Sequence, residues 1–346
     1  MSLPDTPYLA VDLDLMESNL ARLQRYLDGH GIANRPHVKT HKIPAIAQRQ
    51  MELGAAGITC QKLGEAEVMA AAGLHDIFLP YNLVGQAKIE RLRALMAGIT
   101  LSVTVDSEVV ARGLAEGIAG SGRELAVLVE CDLGAKRCGV QSPQAAADLA
   151  RVIARLPGLR FAGLMTYPNR AELDDYVAAV RALLGGDLSI ERVSGGGSAC
   201  MWQAHTHREL TEHRAGMYLV GDRNLMIAGA VPLEQCAFGV AATVVSRPTR
   251  DRGILDSGSK VLSSDTLGLD GYGYIREYPE ARIAALSEEH GHVDFSACAR
   301  RPDIGEIVTV IPNHCCPVVN LADELFGFRG GRVDVVWPVT ARGRVR

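Results

Sequence analysis

The 346-residue chain carries 36 Lys and Arg against 40 Asp and Glu, and its net charge of −4 predicts neither a nucleic-acid nor an anionic-membrane partner. A composition of 47% hydrophobic and 22% charged residues is that of a globular protein with a sizeable core, long enough for two domains. No apolar run approaches the roughly 18 residues of a membrane span, and no signal-peptide pattern opens the chain, so a cytoplasmic protein is expected. The eight cysteines are scattered and read as free thiols rather than a disulfide framework.

In chain order, short apolar runs alternate with helical patterns from residue 8 to about 235. The runs at 34–38, 57–60, 77–80, 100–105, 125–131, 160–166, 190–194 and 217–220 are rich in Val, Ile, Leu and Thr, as buried parallel strands are. Stretches with apolar residues three and four apart lie between most of them, at 13–27, 45–53, 65–72, 87–97, 108–118, 143–156 and 171–184. Eight strands alternating with helices predict an α/β fold, a (β/α)8 TIM-type barrel over 8–235, with a doubly wound open sheet as the competitor. Beyond 236 the texture changes to strand-like runs at 240–246, 253–256, 281–286, 293–295, 307–311 and 332–339. These predict a mostly antiparallel β domain over 236–346, joined by residues 1–7.

Residues able to carry chemistry fall where predicted strands end, the catalytic end of a parallel barrel. Lys39 stands in Arg35-Pro36-His37-Val38-Lys39-Thr40-His41-Lys42, where neighbouring cations would favour a neutral amine able to form a Schiff base; the competing reading is a solvated basic turn. Arg137 follows the fifth run and Tyr167 the sixth, each placed to contact a cofactor ring or to be an ordinary loop residue. Gly195-Gly196-Gly197-Ser198 follows the seventh and could cradle a phosphate or simply make a tight turn. In the β domain, His314 and Cys316 lie two apart, just past the run at 307–311. In an extended segment both would face one ion, and imidazole with thiolate suits Zn²⁺. His290 with His292 forms a rival pair. His205 and His207 read better as solvated.

These motifs together resemble the D-threonine aldolase and D-serine dehydratase family, with its alanine-racemase-like fold of barrel plus β domain. The resemblance spans nearly the whole chain. It runs from the lysine segment through Lys62-Leu63-Gly64-Glu65-Ala66, Arg137-Cys138-Gly139-Val140, Ser194-Gly195-Gly196-Gly197-Ser198, Arg214-Ala215-Gly216-Met217-Tyr218 and Asp256-Ser257-Gly258-Ser259-Lys260 to Pro312-Asn313-His314-Cys315-Cys316-Pro317.

By that resemblance Lys39 is the catalytic residue and holds pyridoxal 5'-phosphate. His37, Ser194, Gly195, Gly196, Gly197, Ser198 and Tyr218 also bind the cofactor, Arg137 lies near its phenolic oxygen and Tyr167 faces its pyridine nitrogen. His314 and Cys316 hold a divalent metal, Zn²⁺ first, Mn²⁺ or Mg²⁺ as alternatives. Two departures stand out: an extra glycine, Gly197, in the loop with Ala199-Cys200 after it, and a cysteine at 316 where the aldolase branch tends to carry aspartate.

The expected activity is therefore a metal-assisted lyase on small 3-hydroxy D-amino acids, a D-serine or D-3-hydroxyaspartate-type dehydratase, with D-threonine aldolase chemistry as the alternative. A racemase and a non-catalytic cofactor carrier are more remote. A homodimer is expected by resemblance alone.

Overall fold

The computed structural model describes residues 4–346, and the chain divides into two compact units. One comprises Leu23–Lys39, Pro44–Gly216 and Arg344–Arg346. The other comprises the chain up to Arg22, Thr40–Ile43 and Met217–Gly343. By contacts the second unit takes the chain from Met217 to Gly343 and also its opening segment up to Arg22. The reason is β1 (Tyr8–Asp12), which pairs antiparallel with Phe238–Ser246 and parallel with Glu324–Arg329. Of residues 1–7, expected to join the β domain, the first three lie outside the described residues.

The first unit holds eight parallel strands, β2 (Ala33–Asn34), β3 (Ile58–Thr59), β4 (Asp76–Leu79), β5 (Thr100–Val105), β6 (Leu125–Cys131), β7 (Leu159–Thr166), β8 (Arg192–Gly196) and β9 (Glu212–Arg214). They run in the order β2-β9-β8-β7-β6-β5-β4-β3, and a single parallel bridge between His37 and Thr59 joins the two ends. The helices of this unit fall where apolar spacing places them; Pro143–Arg155, for example, buries Ala146, Leu149, Ala150 and Ile153 on one face. The expected eighth strand at 217–220 is instead a 3₁₀ turn, Met217–Leu219. The true last strand is Glu212-His213-Arg214, which no apolar pattern marks.

That strand is buried because its charges are paired. Glu212 is 2% exposed and accepts from Arg35 Nε at 2.8 Å and from the Ser194 hydroxyl at 2.5 Å. Arg35 also reaches Asp76 at 2.6 Å, and Arg214 donates to the Ser194 hydroxyl and to the Thr166 carbonyl. Burial alone would raise the Glu212 pKa, but Arg35 and Arg192 hold it below the usual carboxylate value. Its stabilising effect is therefore fully present above the unfolded value of about 4.3 and is lost as pH falls through the lower folded value. Glu212→Ala leaves buried cations uncompensated and is expected to cost about 3–5 kcal/mol in urea unfolding. A loss under about 1 kcal/mol would show that the network does not hold the sheet.

The second unit is built on a nine-stranded sheet. β10 (Phe238–Ser246), β11 (Arg252–Leu255), β12 (Tyr274–Ile275), β13 (Arg282–Leu286), β14 (Gly291–Asp294), β15 (Ile307–Ile311), β16 (Glu324–Arg329) and β17 (Arg332–Pro338) join β1 in it. The order is β13-β14-β11-β10-β1-β16-β17, with β15 beside β10 and β12 beside β15. Every pairing is antiparallel except that of β1 with β16. The six expected runs all appear; β1, β12 and β16 are additional. Short helices interrupt the sheet, among them Arg223–Ile227 and Cys315–Leu321. Among the described residues no helix is long and apolar enough to cross a membrane.

Candidate active site

In the first unit the candidate residues gather past the carboxyl ends of the parallel strands. Lys39 lies in a 3₁₀ turn, Val38–Thr40, shortly after β2, and is half-buried. Its cationic neighbours are arranged differently from the sequence expectation. Arg35 is committed to Glu212 and Asp76. His37 Nε2 lies 3.0 Å from the Gln61 amide oxygen, which only accepts, so Nε2 carries the proton. The Lys39 backbone N–H lies 3.5 Å from His37 Nδ1, so the imidazole sits directly beside the lysine's backbone.

The glycine run does a different job from the one its composition suggests. A Cβ on Gly195 would stand 2.1 Å from Asn169 Oδ1, and one on Gly196 would stand 2.9 Å from the Arg214 carbonyl oxygen. These glycines permit close approach of β8 to its neighbours. Their N–H groups are also engaged: Gly196 donates to Asn169 Oδ1 at 2.7 Å and Gly197 to the Arg214 carbonyl at 3.1 Å. The donors suited to an anion are instead those opening the 3₁₀ helix Ser198–Thr206, which Gly197 caps with φ of 119°. The buried Ser198 hydroxyl lies there and accepts from the Gly216 N–H at 3.1 Å. Ser194, by contrast, points its hydroxyl at Glu212 and Arg214, so it anchors the strand rather than contacting a phosphate.

Arg137 and Tyr167 come together. The Arg137 guanidinium carbon lies 5.0 Å from the Tyr167 ring centroid, and its Nη2 is 3.6 Å from Glu130 Oε1. Burial raises the Glu130 pKa, with Arg137 opposing. The Tyr167 ring in turn lies 3.9 Å from where a Gly197 side chain would begin. Arginine, tyrosine and the start of the 3₁₀ helix thus line one end of the sheet, a set that fits a phosphorylated aromatic cofactor. Sequence reasoning missed Asn169 and assigned no role to Arg214. Arg214 stood inside a quoted motif, whereas nothing local marks Asn169.

In the second unit Cys316 is not on an extended segment, as the spacing argument assumed. His314 is the extended residue capping the helix Cys315–Leu321, and Cys316 sits in its first turn. His314 Nδ1 is nevertheless 2.7 Å from Asp265 Oδ2, and the Cys316 side chain is near enough to act on the imidazole. Burial alone would lower the His314 pKa, but Cys316 and Asp265 raise it to about 9. Thr40 Oγ1 lies 3.3 Å from Cys316 Sγ. The adjacent Cys315 is fully buried, and burial pushes its thiol pKa well up, so Cys316 is the better donor.

An imidazole oriented by a carboxylate beside a thiol suits a borderline-soft cation. No set of three or more His, Cys, Asp or Glu able to hold a metal occurs among the described residues. An ion held by His314 and Cys316 would keep coordination positions open for water or substrate. In the rival pair, His292 Nε2 lies 2.9 Å from Ser287 Oγ and His290 is exposed. Tyr218 is buried within the 3₁₀ turn of this unit.

This architecture belongs to a known class. Residues 11–224 match the alanine racemase N-terminal domain, and residues 237–328 match a serine dehydratase domain. The chain therefore belongs to the alanine racemase N-terminal domain family, its fold is alanine-racemase-like, and it is an enzyme of the lyase class; the family implies pyridoxal phosphate.

Among its relatives, D-threonine aldolase from an Arthrobacter species is 36% identical over 98% of this chain and 93% of its own. The crystal structure of D-threonine aldolase from Filomicrobium marinum is 34% identical, with a TM-score of 0.90 over 99% of this chain and 97% of its own. A cysteine-to-alanine mutant of D-threo-3-hydroxyaspartate dehydratase, solved in its metal-free form, is 28% identical. Its TM-score is 0.85 over 97% of both chains.

Proposed function

We propose that the protein is a pyridoxal-phosphate-dependent, metal-assisted lyase that removes water from a small 3-hydroxy D-amino acid, yielding a 2-oxo acid and ammonia. The observation that carries this reading is the His314–Cys316 pair oriented by Asp265, with Thr40, the residue following Lys39 in the chain, on the Cys316 sulfur. By the family resemblance a thiol at this position accompanies dehydration.

Bound at Lys39, the cofactor would supply an electron sink for charge developing at Cα. Ser198 and the N–H groups opening its helix would bind the phosphate, while Arg137 stacked on Tyr167 would hold the ring against rotation. Tyr167, which by the family resemblance faces the ring nitrogen, would offer it a hydrogen bond without a full charge, tempering delocalisation and favouring prompt elimination over racemisation. The Lys39 amine would remove the Cα proton as general base. His314 and Cys316 would hold the divalent ion, Zn²⁺ by donor chemistry, whose Lewis acidity makes the β-hydroxyl a better leaving group. The enamine so released hydrolyses to the 2-oxo acid. A homodimer in the cytoplasm is the assembly and place this reading assumes.

The similarity to D-threonine aldolases favours one second reading, cleavage of Cα–Cβ to glycine and an aldehyde by the same residues. The deciding experiment is product analysis with D-threonine, with and without EDTA. Chelator-sensitive 2-oxobutanoate and ammonia are expected; acetaldehyde and glycine would establish the aldolase reading. EDTA-insensitive formation of the L-isomer would make it a racemase. No turnover on D-threonine, D-serine or 3-hydroxy-D-aspartate would leave a cofactor carrier.

A further inference from the structure

Away from the residues discussed above, Tyr26 organises two exposed histidines of the first unit. Its hydroxyl donates to the Trp202 carbonyl at 2.6 Å and therefore accepts at its oxygen from His205 Nδ1, also at 2.6 Å. Its own carbonyl accepts from His30 Nδ1 at 2.7 Å. A carbonyl cannot donate, so the proton of His30 is on Nδ1, and the Tyr26 hydroxyl imposes the same tautomer on His205. Both imidazoles then carry their lone pair on Nε2, the state in which histidine binds a metal, with Nδ1–H held by an oxygen.

The spacing agrees. The two ring centroids are 4.7 Å apart with planes at 33°. At a Zn–N distance of about 2.0–2.1 Å each centroid sits about 3 Å from the ion, so two imidazoles on one tetrahedral ion lie about 5 Å apart.

We propose that His30 and His205 form a second site for a borderline first-row divalent cation, with water in the remaining positions. Isolated, neither histidine would be more than a solvated surface residue, the reading the sequence favours for His205. The hydrogen bonds to a single tyrosine and the ring spacing distinguish this pair. An ion here ties the turn that follows the helix ending at Asp28 to the 3₁₀ helix Ser198–Thr206, whose first residue is the candidate phosphate ligand. It would act as a brace on that helix, independent of His314 and Cys316.

Zn²⁺ titration of the chelator-treated holoenzyme tests this, read as zinc bound per chain and as the zinc-dependent rise in Tm. Wild type is expected to take up one equivalent more than His30→Asn or His205→Asn, and to lose that extra rise in Tm with either substitution. Cys316→Ala should keep this equivalent, which separates the site from the candidate catalytic metal. Tyr26→Phe removes the His205 acceptor and is expected to weaken zinc about tenfold or more at this equivalent. Because His30 is exposed, His30→Asn should fold normally, confirmed by an unchanged Tm without zinc. Zinc stoichiometry equal to wild type in His30→Asn would overturn the proposal and leave the pair a ring stack only.

Discussion

Replacing Lys39 by alanine is expected to lower turnover by at least ~10³-fold, because on the proposed function one substitution removes both the anchoring amine and the general base. Borohydride reduction supplies the direct reading. In wild type it should fix one cofactor mass to the peptide containing Lys39, and in the variant to none. The backbone should tolerate the change, since the turn Val38–Thr40 and the Lys39 N–H contact to His37 involve no lysine side-chain atom. A cofactor still trapped on the Lys39→Ala chain would place the Schiff base on another lysine and undo the assignment.

The second large effect is expected at Cys316. Cys316→Ala removes one of two protein donors beside Asp265, and metal content and activity should fall together, activity by about 10²-fold or more. Cofactor absorbance should persist, because the phosphate and ring contacts are assigned to the other unit. Cys316→Asp keeps an anionic donor and should retain more metal than the alanine variant. Full metal content in Cys316→Ala would show that the ion, if held, is held elsewhere.

Much of the barrel was legible because its strands are buried on both faces and its helices on one. The resulting runs and periods are local properties. The strand Glu212–Arg214 escaped because its burial depends on Arg35, nearly 180 positions away, and on Ser194; only folding supplies those partners. Conversely, Met217–Leu219 is apolar yet forms a turn, since apolarity reports burial and not backbone shape. Tyr8–Asp12 could not be assigned to the β sheet from its sequence, as its partners begin at Phe238 and Glu324.

The candidate site divides in the same way. Lys39, the glycine run, His314 and Cys316 were marked by residue type and spacing, which depend only on neighbours in the chain. The partners each residue keeps were settled by long-range contacts. Asn169 and Arg214 take up the glycine N–H groups and so move the anion donors to Ser198 and beyond. Asp265 orients His314 from 49 positions upstream, and a helical turn rather than an extended strand presents Cys316. By itself the sequence determined the fold class and the chemical types available. Tertiary structure decided which N–H groups remain for a ligand, which cations are neutralised and which partners the histidines meet. Hydrogen-bond partners are chosen in space, and spacing along a chain records only those a few residues away.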